Sequence, residues 1–196
     1  MALILGGVLL AGGCATPWEN NFTGNPELHG QTLQPTQSVQ IREIEMERLN
    51  RYSEAERQER ISSTTAPEDM TPQERTAAKD RLLEALQLQE RGEQIEVLGW
   101  SEFTSYEKLD PRNGDLARFA GKIGADVVVV ASAYGGQVTR TIDRPYSGYS
   151  NTYVVRGGRG GGNAVHFNTY STTWVPVTVV SDQFFYTAAY LRRTSR

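Results

Sequence analysis

Residues 123–130 read IGADVVVV, and this stretch decides the fold. Four consecutive valines form an uninterrupted β-branched run, which is typical of a strand that is covered on both faces. Upstream, apolar residues recur at helical spacing: Leu116, Phe119, Ala120 and Ile123. Because Gly124 is a typical helix terminator, the sequence predicts a helix that ends at this glycine and feeds directly into a buried strand.

Further strands are predicted on both sides of the valine run. Ile95 and Val97 begin a strand that ends near Trp100, and residues 110–114 read DPRNG, a turn sequence. The order strand, helix, strand predicts a right-handed parallel crossover. Downstream, residues 172–180 and 183–191 alternate as an antiparallel pair, with a turn expected at Ser181 and Asp182.

Two helices are predicted before this region, in a helical segment covering residues 41–93. The first, over 41–61, has a narrow apolar stripe of Ile41, Ile44, Leu49 and Tyr52, too thin for a core helix. The second begins with the capping box of Thr71 and Glu74 and is expected to stop at Gly92. We expect solvated helices lying on the domain, and the alternative is a hairpin or a coiled coil with another copy.

The resulting fold class is α+β. We expect a small mixed sheet with a strand-helix-strand crossover and a C-terminal antiparallel pair, preceded by two solvated helices. The α+β domain covers residues 94–196 and contains a Gly/Tyr/Arg-rich insertion at 135–170, interpreted as an extended β-ribbon excursion with a disordered tip at 156–162.

The N-terminal residues indicate a targeting signal. Residues 2–13 carry no charge, and an apolar segment of this length fits the core of a signal peptide, whereas a membrane-spanning helix needs about 20 residues. No Lys or Arg occurs before Arg42, so we expect the basic part of the signal to lie upstream of Met1. Residues 1–13 are therefore predicted to be a signal peptide that is removed.

The ending LLAGGC at residues 9–14 resembles the lipobox of bacterial lipoproteins. An extra glycine places Ala11 where that motif has leucine. The resemblance implies lipidation of Cys14 on sulfur, cleavage before it, acylation of the new N-terminus and a lasting membrane anchor. Ala15, in place of Asp, implies sorting to the outer membrane of a Gram-negative bacterium. The alternative is a buried structural cysteine.

Two consequences follow from lipidation at Cys14. Residues 14–40, rich in polar residues, Pro and Gly, would form a lipidated flexible tether. Because Cys14 is the only cysteine, the chain forms no internal disulfide, and the fold rests on packing.

Charge is distributed unevenly along the chain. Residues 1–134 carry 13 basic and 21 acidic side chains, whereas residues 135–196 carry 7 basic and 2 acidic ones. The basic insertion is therefore the predicted contact surface for an envelope protein or for anionic lipopolysaccharide phosphates. The candidate binding residues are Arg140, Arg144, Tyr146, Tyr149, Arg156 and Arg159.

Other chemistries find little support in the sequence. The run RGGRGGG at 156–162 lacks the third glycine of a dinucleotide fingerprint and any Walker lysine. It resembles an RNA-binding RGG element, but a secreted lipoprotein does not meet cytosolic RNA, so no nucleic acid is expected. With two histidines, His29 and His166, and no serine-nucleophile motif, we expect no metal, no cofactor and no catalytic residue.

Two segments resemble known envelope lipoproteins. Residues 123–130, preceded by a helix, are similar to the A-x-x-x-G-A-[DN] segment of small envelope lipoprotein domains, including stress sensors of the RcsF kind and periplasmic assembly domains. Residues 172–179 and 186–193 are similar to uncharacterised bacterial lipoproteins with a Gly/Tyr/Ser-rich insertion. The resemblance implies a small α/β domain; the sensors are stabilised by disulfides that this chain cannot form, and no functional residue carries over.

The sequence therefore predicts a non-enzymatic outer-membrane lipoprotein that acts as a binding, assembly or sensor module. One alternative is an envelope hydrolase or other enzyme with a site near residues 100–106 or 132–134. The other is a structural oligomer formed through the helix at 41–61.

Overall fold

The computed structural model describes residues 15–28, 31, 33–63, 69–156 and 163–194, without the side chains of 151–156 and 163–167. The signal peptide, Cys14 and residues 157–162 of the predicted disordered tip lie outside the described residues. The chain divides into two units, described separately: unit 1 comprises Met1–Gly135 and Gln183–Arg196, and unit 2 is Gly136–Asp182.

The described elements include both helices and strands. In chain order they are α1 (Pro17–Asn20), β1 (Phe22–Gly24), β2 (Gln40–Glu45), α2 (Met46–Ser62), α3 (Pro72–Ala85), β3 (Ile95–Ser105), α4 (Asp115–Lys122), β4 (Val127–Arg156) and β5 (Asn163–Arg193). Short 3-10 turns lie at Pro26–Leu28 and Gly92–Gln94.

The strands form one mixed sheet in the order β1-β3-β5-β4-β2. Strand β2 is parallel to β4, whereas β3 is antiparallel to both β1 and β5. This confirms the predicted α+β class with its C-terminal antiparallel pair. Strand β5 lies between β3 and β4, so α4 connects two strands that are not neighbours in the sheet.

The valine run of β4 is buried on both faces, as its sequence predicts. Val128 and Val130 pack into one cluster with Phe119 of α4 and Trp18 of α1. On the opposite face, Val127, Val129 and Ala131 join a second cluster with leucines of α2 and α3: Leu49, Leu82 and Leu83. The sheet of unit 1 is therefore covered by helices on both sides, and α2 and α3 each bury only part of their surface.

The segment predicted to be a flexible tether instead contributes to the core. Trp18 is 2% exposed, and its ring makes edge contacts with Phe103 and Tyr186 at centroid distances of 4.9 and 5.6 Å. Strand β1 then pairs with β3. This approach requires Gly99, because a Cβ there would lie 2.3 Å from the carbonyl oxygen of Thr23. The polar residues around Trp18 did not indicate that its ring would be buried. The flexible-tether prediction is therefore wrong for these residues.

The helix predicted from Ile41 begins later, because residues 40–45 form strand β2. Ile41 packs on the first cluster and Ile44 on the second. Positions of opposite parity point to opposite faces of a strand, so both isoleucines are sheltered only in this conformation. A spacing of three residues fits a helix equally well, which explains the wrong prediction.

Helix α3 begins as predicted and ends early. Thr71 Oγ1 accepts from the Glu74 backbone N–H at 3.3 Å, and the Thr71 N–H donates to Glu74 Oε2 at 2.7 Å, which confirms the capping box. The helix ends at Ala85 because Gln87 adopts a φ of 57°, and the predicted stop at Gly92 is wrong.

The antiparallel pair has different members from those predicted. Strand β5 runs without interruption from Asn163 to Arg193, so Ser181 and Asp182 form no turn. Both side chains are engaged by residues of β4: Arg140 Nε donates to Ser181 Oγ at 3.0 Å, and Gln137 Nε2 donates to Asp182 Oδ1 at 3.4 Å. The pair is therefore β4 with β5.

A buried polar contact joins α1 to the sheet. Ser101 is fully buried; its hydroxyl donates to the Trp18 carbonyl oxygen at 2.7 Å and lies 2.9 Å from Tyr190 Oη. Burial raises the pKa of Tyr190 from 10.0 to about 12, against an opposing effect of the Ser101 hydrogen bond. Residues 15–28 are thus held by both packing and hydrogen bonding.

Replacing Trp18 with alanine should destabilise the whole chain by about 3 kcal/mol or more, since a large buried aromatic is lost from a packed core. Urea unfolding followed by circular dichroism measures the change. Trp174→Ala is the matched control, because Trp174 is 63% exposed and should alter the unfolding free energy by no more than about 0.5 kcal/mol. Equal effects of the two substitutions would contradict the packing of residues 15–28 into the core.

The free energy of unfolding should decrease as the pH rises from 10.0 to about 12. In this window the unfolded chain loses the Tyr190 proton before the folded chain does, so ionisation favours unfolding. Tyr190→Phe should therefore show a shallower decline in urea-unfolding experiments across that range. The control Tyr146→Phe, at a position that is 70% exposed, should keep the wild-type slope, and an unchanged slope for Tyr190→Phe would count against its burial.

Candidate interaction surface

Strands β4 and β5 continue beyond the helix-covered part of the sheet as a two-stranded ribbon, Gly136–Asp182. Side-chain contacts between the strands determine their relative direction: Gln137 contacts Asp182, Ser147 contacts Thr172, and Tyr149 contacts Tyr170. Position numbers rise along one strand as they fall along the other. The ribbon is therefore antiparallel.

Alternation along the strands separates the ribbon side chains into two faces. The first, here called the arginine face, contains the contact of Arg140 with Ser181. Its other members are Val138, Ile142, Arg144, Tyr146, Val175, Val177 and Val179. The second, the aromatic face, contains Tyr149, Tyr170, Trp174 and Val180.

The structure divides the predicted binding residues between these faces. Arg140 is half-buried, whereas Arg144 is exposed and Tyr146 is 70% exposed; all three lie on the arginine face. Tyr149, 81% exposed, lies on the aromatic face with its ring centroid 5.2 Å from that of Tyr170. The side chain of Arg156 and the whole of Arg159 lie outside the described residues.

Three exposed apolar residues were not predicted as part of this surface. Trp174 is 63% exposed, Val180 is 64% exposed and Val175 is 42% exposed. The sequence pattern placed them in a strand of the predicted antiparallel pair, residues 172–180, and not among the candidate binding residues. The signal that points elsewhere is proline: Pro176 on β5 and Pro145 on β4 each lack a backbone donor, which is typical of strands with an unpaired edge.

No side chain is buried among the described ribbon residues, 136–150 and 168–182. The valine run of the same strand β4, at 127–130, is by contrast 0–2% exposed. A two-stranded ribbon without a buried face is marginally stable in water by itself. This surface is therefore large, partly apolar and without a core of its own.

The alternative sites at residues 100–106 and 132–134 show packing contacts. Phe103 stacks on Tyr186 with 5.4 Å between ring centroids, and Tyr134 lies 5.5 Å from Phe184. One depression of about 450 Å³ lies between residues 35–39 and α4, and another of about 390 Å³ is lined by Glu90, Gln94 and Arg193. Neither includes the alternative sites. Within the described part of the chain, no three carboxylates, histidines or cysteines group as metal ligands.

A polar cluster closes the end of the sheet in unit 1. The Asp126 carboxylate accepts from the Arg193 backbone N–H at 3.1 and 3.2 Å, and the Arg193 guanidinium contacts Glu90 Oε1 at 2.9 Å. Burial acts to raise the pKa of Glu90, but hydrogen bonds from its own backbone and from Arg193 lower it overall. These contacts join the ends of neighbouring strands, and the Asp126 carboxylate already accepts hydrogen bonds from the backbone of β5.

No helix in the described parts of the chain is long and apolar enough to cross a membrane. Comparison with protein-family models, with curated proteins and with solved structures found no match for this chain.

Proposed function

We propose that this protein is a non-enzymatic outer-membrane lipoprotein, anchored through Cys14, whose ribbon is a binding or assembly surface for another envelope component. The observation that carries the proposal is the ribbon itself. It presents exposed Tyr146, Tyr149, Tyr170 and Trp174 and, among its described residues, buries no side chain. Exposed apolar patches of this kind mark interaction surfaces.

The composition of the ribbon indicates the chemistry of its partner. Residues 136–182 contain four arginines and two aspartates, with no lysine and no glutamate. Arginine guanidinium groups bind phosphate and carboxylate oxygens in a bidentate manner, and aromatic residues with arginine dominate binding energy at interfaces. The expected partner is a phosphate-bearing envelope surface such as lipopolysaccharide, or an acidic envelope protein.

The two rival proposals rest on residues of unit 1, outside the ribbon. An envelope hydrolase or other enzyme would need converging polar groups near residues 100–106 or 132–134, where the aromatic side chains Phe103 and Tyr134 pack against neighbouring rings. A structural oligomer through the helix at 41–61 draws on Ile61, which is 72% exposed at the end of α2. Part of α2 already contacts α3, through Arg81 and Glu59 at 3.0 Å.

Cys14→Ala should leave an uncleaved precursor, because lipidation on sulfur precedes cleavage in the lipoproteins that this N-terminus resembles. Intact-protein mass spectrometry of the membrane and soluble fractions measures both the cleavage and the acyl mass. The wild-type chain should begin at Cys14, carry acyl chains and sediment with membranes. A wild-type chain without acyl mass would remove the lipoprotein proposal.

Neutralising the ribbon arginines (Arg140, Arg144, Arg156 and Arg159, each to Gln) should weaken binding to vesicles that contain lipopolysaccharide. Each cationic side chain near an anionic surface contributes about 1 kcal/mol, so the loss should approach two to three orders of magnitude at low salt. Sedimentation of vesicles with a chain that begins at Ala15, and so carries neither the apolar signal segment nor a lipid, measures this binding.

The matched control neutralises four exposed arginines of unit 1: Arg51, Arg57, Arg75 and Arg91. It changes the net charge by the same amount and should retain most of the binding. Equal weakening by the two quadruple variants would show that net charge, and not the ribbon, determines the affinity.

A further inference from the structure

We infer that the ribbon pairs edge to edge with the ribbon of a second copy, so that the outer edge of β4 in one chain meets the outer edge of β5 in the next. The inference rests on the proposed function, because it takes the ribbon as the contact surface and names a partner for its edges. The faces, with their arginines and aromatic rings, stay available to other envelope components.

The ribbon has two open edges within the described structure. Pairing of β2 with β4 ends at Ser132, and pairing of β3 with β5 ends at Phe184. Beyond these residues each strand has the other ribbon strand on one side only. Its alternate backbone N–H and C=O groups on the other side are then free to pair with another strand.

The edges of unit 1 are protected in ways that the β5 edge of the ribbon is not. Strand β1 has three residues and is followed by Pro26, and three of the six residues of β2 are charged: Arg42, Glu43 and Glu45. Short and charged edge strands resist pairing with another chain. Strand β5 carries no charged residue from Asn168 to Ser181, and the ribbon contains no lysine. The same chain thus blocks both edges of unit 1 and leaves the β5 edge of the ribbon without charge.

The two open edges complement each other. Strands β4 and β5 are antiparallel, so adding β5 of a second copy beside β4 continues the antiparallel order of the ladder. The charged residues of the β4 edge are Arg140, Asp143 and Arg144, and they would face a β5 segment without charge. Pairing β4 with β4 would instead bring the arginines of the two copies close together, which is unfavourable.

Edge pairing would also add the further strands that a two-stranded ribbon lacks. Val138, Ile142, Val177 and Val179 on the arginine face are only half-buried in the single chain. Three or more strands with an apolar face form an independently stable sheet, whereas two do not. Pro145 and Pro176 each lack one donor, so the pairing would run in segments on either side of them. Because the contact is head to tail, it would repeat from copy to copy.

Light scattering of the full-length chain, extracted from membranes in mild detergent, tests the assembly. We expect a mass of several chains, reduced to one chain by Thr169→Lys with Thr173→Lys on β5, since these lysines would meet the arginines of β4. The control Gln73→Lys with Ala77→Lys adds the same charge on exposed positions of α3 and should keep the wild-type mass. Circular dichroism verifies that each variant is folded. A monomeric wild type, or a double lysine variant that keeps the wild-type mass, overturns the inference.

Cysteine crosslinking identifies the edges in contact. Chains with Thr139→Cys on β4 and chains with Thr178→Cys on β5 carry different tags and are co-expressed, then treated with a bis-maleimide. We expect linked pairs between the two kinds of chain well above those formed by either variant expressed alone or by the wild type, whose only cysteine is Cys14. Preferential linking of β4 to β4 or of β5 to β5, or no linking above the wild type, overturns the head-to-tail contact.

The two proposals fail separately. A monomeric wild-type chain that still binds lipopolysaccharide vesicles through its arginines would refute self-pairing and leave the proposed function standing. An assembled chain that binds no vesicle beyond the control level would support self-pairing and remove lipopolysaccharide as the partner.

Discussion

Burial of β4 on both faces is the constraint on which the rest of the structure depends. Val128 and Val130 face α1 and α4, while Val127 and Val129 face α2 and α3. Each fully buried valine contributes about 1.5 kcal/mol or more. The strand also holds β2 on one side and β5 on the other. With polar residues in its place, neither helical layer would have a surface to pack on.

The same two strands carry the candidate interaction surface. Strands β4 and β5 are ordered in unit 1 by their ladders with β2 and β3 and by the two clusters. Beyond Gly135 they keep their pairing, as the contacts of Arg140 with Ser181 and Tyr149 with Tyr170 indicate, but they bury no described side chain. The ribbon therefore has cross-strand pairing of its own but no buried core among its described residues. Such an arrangement is expected where stability is completed by a partner.

Sequence patterns predicted those features that are determined locally. The valine run predicted a doubly covered strand, and Thr71 with Glu74 predicted a capped helix, because both depend on neighbouring residues. The burial of Trp18 was not predicted, because it depends on contacts with Phe103 and Tyr186, which are more than 80 positions away. Ile41 and Ile44 suited a helix and a strand equally, and only pairing with β4 decides between them.

The candidate site was predictable in composition but not in arrangement. Arg140, Arg144, Tyr146 and Tyr149 stand out by residue type in a glycine-rich stretch. Their division between two faces depends on the register of β4 against β5, which no single-strand pattern contains. Trp174 was predicted to lie in a strand of the antiparallel pair, and alternation marks a strand without telling whether anything covers it.

Hydrogen exchange of the ribbon amides in native membranes measures whether a partner completes the ribbon. We expect the amides of residues 137–150 and 168–181 to be broadly protected in the membrane. On further dilution in detergent, to a concentration at which the copies separate, the outer-edge amides should lose that protection, while residues 127–131 remain unchanged. Ribbon amides that exchange equally fast in both conditions, with one strand edge always open, would contradict it.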